Sequence, residues 1–307
     1  MNPAKSVAII GAGLMGHGIA QVFAQAGHRV VLTDPDAAVL RVALARVGRN
    51  LQDDGIDPEA IVARMSVDPR LDAAVADADL VIEAVPERLE LKQRLFAQIA
   101  QAAPRHAILA SNTSVIPITR IGEALSDEAR SRLLGTHWWN PPHLVPLVEV
   151  VRTEFTRDAV FNEVFDWLRA VGKLPVKVQR DVTGFIGNRL QHALWREAIG
   201  LVEDGVCDAE SIDLVVKNSF GLRMPVLGPM ENADLVGLDL TRAVHQVLFP
   251  ELKTNSRSSP LLDRLIDAGH GGMESGQGLR NWTAAEAENV RSQLNEHLIR
   301  MRKQGLG

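Results

Sequence analysis

Histidines are the side chains in this sequence best suited to proton chemistry, because the imidazole ring titrates near neutral pH. Of the nine histidines, His137 ends an apolar run that predicts a strand, and the chain beyond it is fixed by Pro141 and Pro142. A histidine at the carboxyl end of such a strand could take the proton of a substrate hydroxyl. Glu149, on the next predicted strand, could accept the second ring N–H and fix the tautomer.

Two other interpretations of this segment remain open. His137 could be a satisfied structural histidine, or His143 could be the base in its place. A metal site formed by the two residues is disfavoured, because no other His or Cys lies nearby at the spacing of metal ligands. We therefore predict no metal site.

A glycine-rich motif near the start of the chain could bind phosphates. The segment Gly11-Ala12-Gly13-Leu14-Met15-Gly16 has the spacing G-x-G-x-x-G and lies between an apolar strand and a helix pattern. In that context the glycines allow a tight turn, a close approach to a pyrophosphate and close packing of the helix. The residues expected at the cofactor are Gly11, Gly13, Leu14, Met15 and Gly16.

Acidic residues after the second strand favour NAD as the cofactor. Asp34 closes that strand, where a carboxylate would bind the adenosine ribose hydroxyls. Asp36 adds negative charge and no arginine follows Asp34 directly, so a 2′-phosphate would be repelled. FAD uses the same fingerprint and remains an alternative, as does a glycine-rich turn that binds nothing.

Two further polar segments could face a substrate. Ser111-Asn112-Thr113-Ser114 follows a buried strand, and could either face nicotinamide and substrate or form a simple turn and helix cap. Asn188 lies early in a helix within Gly184–Arg189, where its amide could hold a substrate oxygen or be only a solvated or capping residue.

Composition excludes several chemistries. The chain has 307 residues, no Tyr and one Cys. It therefore lacks a tyrosine acid, an intrachain disulfide, an all-cysteine zinc site and a cysteine-held iron–sulfur cluster. A net charge of −5 without a basic block gives no reason to expect nucleic acid. No apolar run reaches membrane-spanning length and no leader pattern is found at the N-terminus, so we expect a cytoplasmic protein.

The elements that must position these residues alternate between strands and helices in the first part of the chain. Such alternation predicts a parallel, doubly wound sheet in an α/β fold over residues 1–183. Strand signals stop after that point, and residues 184–307 predict an all-α domain. The predicted strands are 6–10, 30–33, 80–85, 107–110, 135–137, 147–151 and 174–178; the predicted helices are 14–26, 37–51, 89–102, 158–171, 185–203, 209–218, 235–248, 260–268 and 284–302.

Taken together, the motifs resemble those of the L-3-hydroxyacyl-CoA dehydrogenase family. The glycine-rich loop, Ser111–Ser114, His137-x-x-Asn140-Pro141-Pro142, Val148-Glu149-Val150 and Gly184–Arg189 occur in that family's order, and the resemblance covers roughly residues 5–282. It implies a Rossmann domain followed by a helical domain that usually forms a homodimer, and an NAD-dependent dehydrogenase of a small-molecule substrate, typically in fatty acid metabolism.

The resemblance also implies roles for individual residues. His137 would be the catalytic base, Glu149 its carboxylate partner, and Ser114 and Asn188 the residues that hold the substrate oxygen. Around these, the residues expected at the cofactor also include Asp34, Glu87, Lys92 and Asn112, and Asn140 is expected at the substrate. Trp138 and Arg223, where the chain departs from the family pattern, are further candidates for substrate contacts.

Departures from the family pattern leave the substrate open. Acyl-CoA members of the family typically have a lysine-rich helical hairpin after the second strand, whereas here no lysine occurs between Lys5 and Lys92 and residues 53–59 are acid-rich. Arginines in this region could compensate. Arg223 could clamp a carboxylate or form an ordinary surface ion pair. These sequence differences resemble family branches that oxidise free acids, such as L-gulonate dehydrogenase, lambda-crystallin and pyridine-carboxylate dehydrogenases.

Three functions therefore stay in competition: an NAD-dependent 3-hydroxyacyl-CoA dehydrogenase, a dehydrogenase of a free hydroxy acid on the same scaffold, and a non-catalytic dinucleotide-binding or structural protein.

Overall fold

The computed structural model describes residues 4–304. These residues form two compact units, one of residues up to 189 together with 298–304, and one of residues 190–297. The predicted second domain, 184–307, thus differs from the second unit at both ends.

The first unit contains all eight strands and the phosphate-loop helix. Its strands are β1 Ser6–Ile10, β2 Arg29–Thr33, β3 Met65–Val67, β4 Leu80–Glu83, β5 Ile108–Ser111, β6 Leu133–Trp138, β7 Leu147–Val151 and β8 Leu174–Val178. Its helices are α1 Leu14–Gln25, α2 Ala37–Asp53, α3 Glu59–Val62, α4 Leu71–Val75, α5 Leu89–Ala102, α6 Ile118–Ile121, α7 Asp127–Arg130 and α8 Asp158–Ala170, with a 3₁₀ turn at Gly122–Ala124.

The eight strands form one sheet in the order β3-β2-β1-β4-β5-β6-β7-β8. All neighbours are parallel except β6 and β7. Helices cover both faces, as a parallel sheet requires, and the buried residues form two apolar clusters, one around Phe23 and Trp167 and the other around Phe96 and Ile118. The predicted doubly wound α/β fold is confirmed.

The antiparallel pair corrects the expectation of a parallel sheet throughout. Residues 139–146 connect β6 to β7, and so short a connection cannot make the crossover that a parallel pair needs. The pairing sets His137 directly opposite Glu149. Strand β3, only three residues long, was not predicted.

Among the described residues, the second unit contains helices and no strand, apart from isolated bridges between Gly272 and Gln277 and between Gln277 and Asn281. Its elements are the remainder of α9 Gly187–Glu203, then α10 Ala209–Asn218, α11 Phe220–Arg223, α12 Pro229–Val236, α13 Leu238–Leu248, a 3₁₀ turn Phe249–Glu251, α14 Pro260–Asp267 and most of α15 Ala284–Lys303. The helix predicted over 235–248 is interrupted at Gly237, whose φ of 95° lies in the left-handed region. Nothing within residues 4–304 forms a helix long and apolar enough to cross a membrane.

Candidate active site

The phosphate loop has the shape that its glycines predict. Gly11 has a φ of 97°, and a Cβ there would lie 2.7 Å from the carbonyl oxygen of Ala84. A Cβ on Gly16 would lie 1.7 Å from the Gly11 carbonyl oxygen, so Gly16 lets α1 pack against the loop. Both glycines are therefore required by the fold itself.

Gly13 differs from these two glycines, because its Cβ would meet no atom within 4 Å. Gly13 is also the N-cap of α1, which has neither a capping side chain nor an acidic residue in its first turn. The N-terminus of α1 thus presents unpaired amides and positive partial charge to an open space. A pyrophosphate fits this arrangement.

Asp34 lies against the loop, as expected. One of its carboxylate oxygens accepts a hydrogen bond from the Ala12 amide at 2.9 Å, and the other from the Asp36 amide at 2.9 Å. These bonds fix a carboxylate at the end of β2, where ribose hydroxyls would bind. The donors and the charge of this region fit NAD.

His137 and Glu149 form a buried pair. Nδ1 of His137 lies 2.7 Å from Oε2 of Glu149. The other carboxylate oxygen, Oε1, accepts hydrogen bonds from the amides of Ile186 at 2.8 Å and Gly187 at 3.0 Å, at the start of α9. Because amides at a helix N-terminus favour an anion, α9 holds Glu149 in its ionised form.

The pKa of Glu149 reflects these contacts. Burial by itself would raise that pKa, but the hydrogen bonds from the His137 ring and from the two amides outweigh it, so the pKa lies below its usual value. An ionised Glu149 makes Nδ1 the protonated nitrogen of a neutral His137. Nε2, which bonds to no described residue, then carries the lone pair.

Aromatic rings hold the imidazole of His137 in place. The ring lies 5.2 Å from that of Trp139 and 5.7 Å from that of Phe185, measured between centroids. Gly187 makes room for Trp139, since a Cβ there would lie 2.3 Å from Trp139 Cζ2. His137 is only 4% exposed, and its orientation is fixed on several sides.

Ser114 lies on a loop that is tied to both Glu87 and Asn188. Oε1 of Glu87 accepts hydrogen bonds from the Thr113 hydroxyl at 2.5 Å and from the amides of Ser114 and Val115 at 2.9 and 3.0 Å. Asn188 Nδ2 donates to the Ser114 carbonyl at 2.8 Å. The structure thus brings Ser114 and Asn188 together.

Lys92 does not have the position expected for a cofactor contact. It is 1% exposed, and its ammonium lies 2.6 Å from Glu83 Oε1 and 3.3 Å from Glu87 Oε2. Glu83, at the end of β4, also accepts from the Ser111 hydroxyl at 2.6 Å. Lys92 therefore contacts Glu87 from the buried side, as part of a hydrogen-bonded network. Glu83 was not predicted as part of this site, although an acidic residue at the end of a predicted strand could have indicated it.

Trp138 also needs correction as a substrate residue. It is 2% exposed and packs on Phe23 in the core, 6.0 Å between centroids. Side chains alternate along a strand, so Trp139, rather than Trp138, shares the side of His137. The alternation of side chains along a strand could therefore have indicated Trp139 from the sequence.

Asn112 and Asn140 lie at the ends of neighbouring strands. Asn112 Oδ1 accepts from the Trp138 amide at 2.9 Å, which leaves its amide nitrogen for other partners. Asn140 is exposed and precedes Pro141 through a cis peptide bond. Both remain candidates for ligand contacts.

The structure disfavours His143 as the base. Burial lowers the pKa of His143 to about 4, well below the range of a base at neutral pH. Within the described chain, no cluster of three or more His, Cys, Asp or Glu side chains could hold a metal ion. Arg223 lies in the second unit, exposed at the end of α11.

Two models of one protein family match this chain. Residues 6–182 match the 3-hydroxyacyl-CoA dehydrogenase NAD-binding domain, and residues 184–282 match the C-terminal domain of the same family. A 5-formyl-3-hydroxy-2-methylpyridine 4-carboxylate 5-dehydrogenase of Mesorhizobium japonicum is 35% identical over 303 residues, 97% of each chain.

Solved structures give the same assignment. The crystal structure of a dehydrogenase for that pyridine carboxylic acid, described as an NAD⁺-dependent dismutase, has a TM-score of 0.90 at 35% identity and covers 98% of each chain. The (S)-3-hydroxybutyryl-CoA dehydrogenase PaaH1 of Ralstonia eutropha has a TM-score of 0.75 at 32% identity, covering 92% of this chain and all of its own. The chain therefore belongs to the 3-hydroxyacyl-CoA dehydrogenase family and is an NAD-dependent dehydrogenase.

Proposed function

We propose that His137 is the general base of this dehydrogenase and that Glu149 sets its tautomer and stabilises its charged form. The observation that carries the proposal is the 2.7 Å contact of Nδ1 with a carboxylate whose other oxygen is held by two α9 amides. A base held in one tautomer can receive a proton at Nε2 without reorganisation.

In this mechanism, bound NAD supplies the acceptor for the hydride of the substrate carbon. Nε2 of His137 takes the hydroxyl proton, and the positive charge that develops on the ring lies next to Glu149. Ser114, whose amide donates to Glu87, and Asn188, whose side chain donates to the Ser114 carbonyl, bond the substrate oxygen. The product is a carbonyl compound.

We further propose that the substrate is a free hydroxy acid, with the alcohol β to a carboxylate, rather than a CoA thioester. Two observations support this. The end of α2 and the segment after it carry the exposed carboxylates of Asp53, Asp57 and Glu59, which would repel a pyrophosphate-bearing tail. The TM-score is 0.90 with a dehydrogenase named for a free pyridine carboxylate and 0.75 with one named for an acyl-CoA.

A substrate panel tests this proposal. NADH formation is measured with 3-hydroxybutyryl-CoA, free 3-hydroxybutyrate, L-gulonate and the formyl pyridine carboxylate of the relative. We expect at least one free acid to have a kcat/KM at least about tenfold above that of the thioester, a difference of about 1.4 kcal/mol. A thioester preference of that size would overturn the free-acid assignment. Silence of the whole panel with NAD still bound would favour the non-catalytic alternative.

We also propose that the second unit pairs with another copy of the chain. Of the 32 large hydrophobic side chains that are exposed within the described residues, 23 lie at positions 190–294, among them Val226 and Val247 at 87% and 77% exposure. So much exposed apolar surface marks an association site. Sedimentation of the chain at micromolar concentration should give the mass of a dimer, and a monomer would contradict the proposal.

A further inference from the structure

The connection between β6 and β7 is held by charges from elsewhere in the chain. Its central part, Pro142–Val145, is called the β6–β7 loop here. The loop packs on α1 at Gly18, where a Cβ would lie 2.6 Å from Pro142 Cγ and 3.4 Å from His143 Nδ1. It follows Trp139, Asn140 and Pro141 in the chain, and so it determines how the chain leaves β6.

Lys173, which directly precedes β8, binds the β6–β7 loop. Its ammonium donates to the carbonyl oxygens of Pro142 at 2.5 Å and Val145 at 2.9 Å, and lies 5.4 Å from the Trp138 ring centroid. Lys173 is buried, and no carboxylate in residues 4–304 forms an ion pair with it. A buried ammonium needs hydrogen-bond acceptors, and the two loop carbonyls accept two of its three N–H bonds.

Arg302 holds the same loop from the C-terminal segment. Its guanidinium makes a two-point contact with Asp54, at 2.7 and 2.9 Å, and Nη1 lies 3.4 Å from the His143 carbonyl oxygen. The Asp54 carboxylate is 1% exposed. Arg302 belongs to the first unit although it lies twenty residues past the end of the family match at residue 282.

The charges around the loop do not cancel. Lys173 and Arg302 are two cations, and the carboxylate of Asp54 pairs with Arg302 alone. His17 and His143, which also face this region, have lowered pKa values, mainly because of burial. Burial and the nearby Arg302 lower the pKa of Lys173 to about 8. The loop carbonyls are therefore the partners that complete the coordination of both cations.

We propose that Arg302 and Lys173 are positioning residues that hold the β6–β7 loop, and with it Asn140 and Trp139, in the place needed for catalysis at His137. Neither touches the reacting atoms, and neither contacts the phosphate loop or Asp34. The proposal rests on the proposed function, since it assumes that His137 is the base. Misplacement of a catalytic segment by about 1 Å can cost roughly 100-fold in rate.

The first test separates the ion pair from the loop contact. Arg302→Met alone leaves Asp54 buried and unpaired, and should lower the melting temperature strongly. The double variant Asp54→Asn/Arg302→Met removes both charges and should recover most of the stability. It should still show faster amide hydrogen exchange in residues 141–145 and, with the best substrate of the panel, at least about a tenfold lower kcat/KM. NAD affinity should be unchanged.

A double variant with wild-type stability, wild-type exchange and wild-type kcat/KM would overturn the proposal. The exchange measurement needs no turnover. If no substrate is oxidised by the wild type, the proposed function fails, while the exchange result still decides whether Arg302 holds the loop.

The second test uses the charge of Lys173. As the pH rises through about 8, deprotonation removes the charge that strengthens the hydrogen bonds from Lys173 to the two carbonyls, and kcat/KM of the wild type should fall. Lys173→Met has a side chain of similar length without a charge. Its kcat/KM should be reduced already at pH 7 and should not fall again as the pH rises through about 8. An alkaline fall that persists unchanged in Lys173→Met would contradict the role of Lys173.

Discussion

The Nδ1 atom of His137 lies 2.7 Å from Oε2 of Glu149 because the two residues are direct partners in the antiparallel pairing of β6 and β7. Their relationship is thus built into the register of the sheet and does not depend on a flexible loop. The second oxygen of Glu149 is anchored on the amides of Ile186 and Gly187. Both ends of the carboxylate therefore accept hydrogen bonds from fixed groups.

Glu149→Gln should lower kcat by about 10²- to 10⁴-fold. Both carboxylate oxygens accept hydrogen bonds, whereas an amide has only one oxygen, so its NH₂ group must face either the His137 ring or the two α9 amides. Steady-state kinetics together with a direct NAD titration measure this effect. Unchanged kcat with intact folding would show that Glu149 is not needed by His137.

Gly187→Ala should disturb the active site through Trp139. The added Cβ would lie 2.3 Å from Trp139 Cζ2, so the indole must move away from the His137 ring. We expect kcat to fall at least about tenfold and stability to drop by about 1–3 kcal/mol. Gly48→Ala in α2 is the matched control, because its Cβ meets nothing within 4 Å; it should be neutral or stabilising by up to about 1 kcal/mol. Equal changes in kcat and in stability for the two variants would contradict this explanation.

Gly13→Ala and Gly16→Ala should separate cofactor binding from folding. A Cβ on Gly13 meets no protein atom, so the apo protein should keep its melting temperature while the Kd for NAD rises about tenfold or more. A Cβ on Gly16 lies 1.7 Å from the Gly11 carbonyl, so that variant should melt several degrees lower, by about 2–4 °C for each kcal/mol lost. Calorimetry with and without NAD gives both quantities; unchanged NAD affinity in Gly13→Ala would place the pyrophosphate elsewhere.

Stability should fall as the pH drops below about 6.5. His17, His28 and His143 all have lowered pKa values, chiefly through burial, with that of His143 at about 4. The unfolded chain binds protons on these rings near pH 6.5, before the folded chain does, so protonation favours unfolding and the stability present above pH 6.5 is lost towards pH 4. Urea midpoints between pH 7.5 and 4.5 measure the slope. His143→Gln should reduce that slope, and an identical slope would remove His143 from the explanation.

Much of the first unit follows from local patterns in the sequence. The short apolar runs between amphipathic helices predict the central strands, and the glycine spacing with Asp34 predicts the phosphate loop. His137 and Glu149 could be singled out because each ends or lies on a predicted strand. The assignment of NAD, which the comparisons support, came from these local features.

The remaining features depend on packing that a single sequence does not encode locally. The antiparallel β6–β7 pair depends on the length of the connection, and β3 is too short to show a period. The burial of Lys92 against Glu83 and of Trp138 in the core depends on which face of an element is covered. The contact of Arg302 with Asp54 joins residues 248 positions apart, which no spacing rule could have suggested.

The role of His137 as the base can be tested with the His137→Ala variant. Its turnover is measured as NADH formation with the best substrate of the panel, next to a direct titration of NAD. We predict that kcat falls by several orders of magnitude while the Kd for NAD stays within about twofold of the wild type. Turnover at the wild-type rate in a folded His137→Ala protein would show that His137 is not the base.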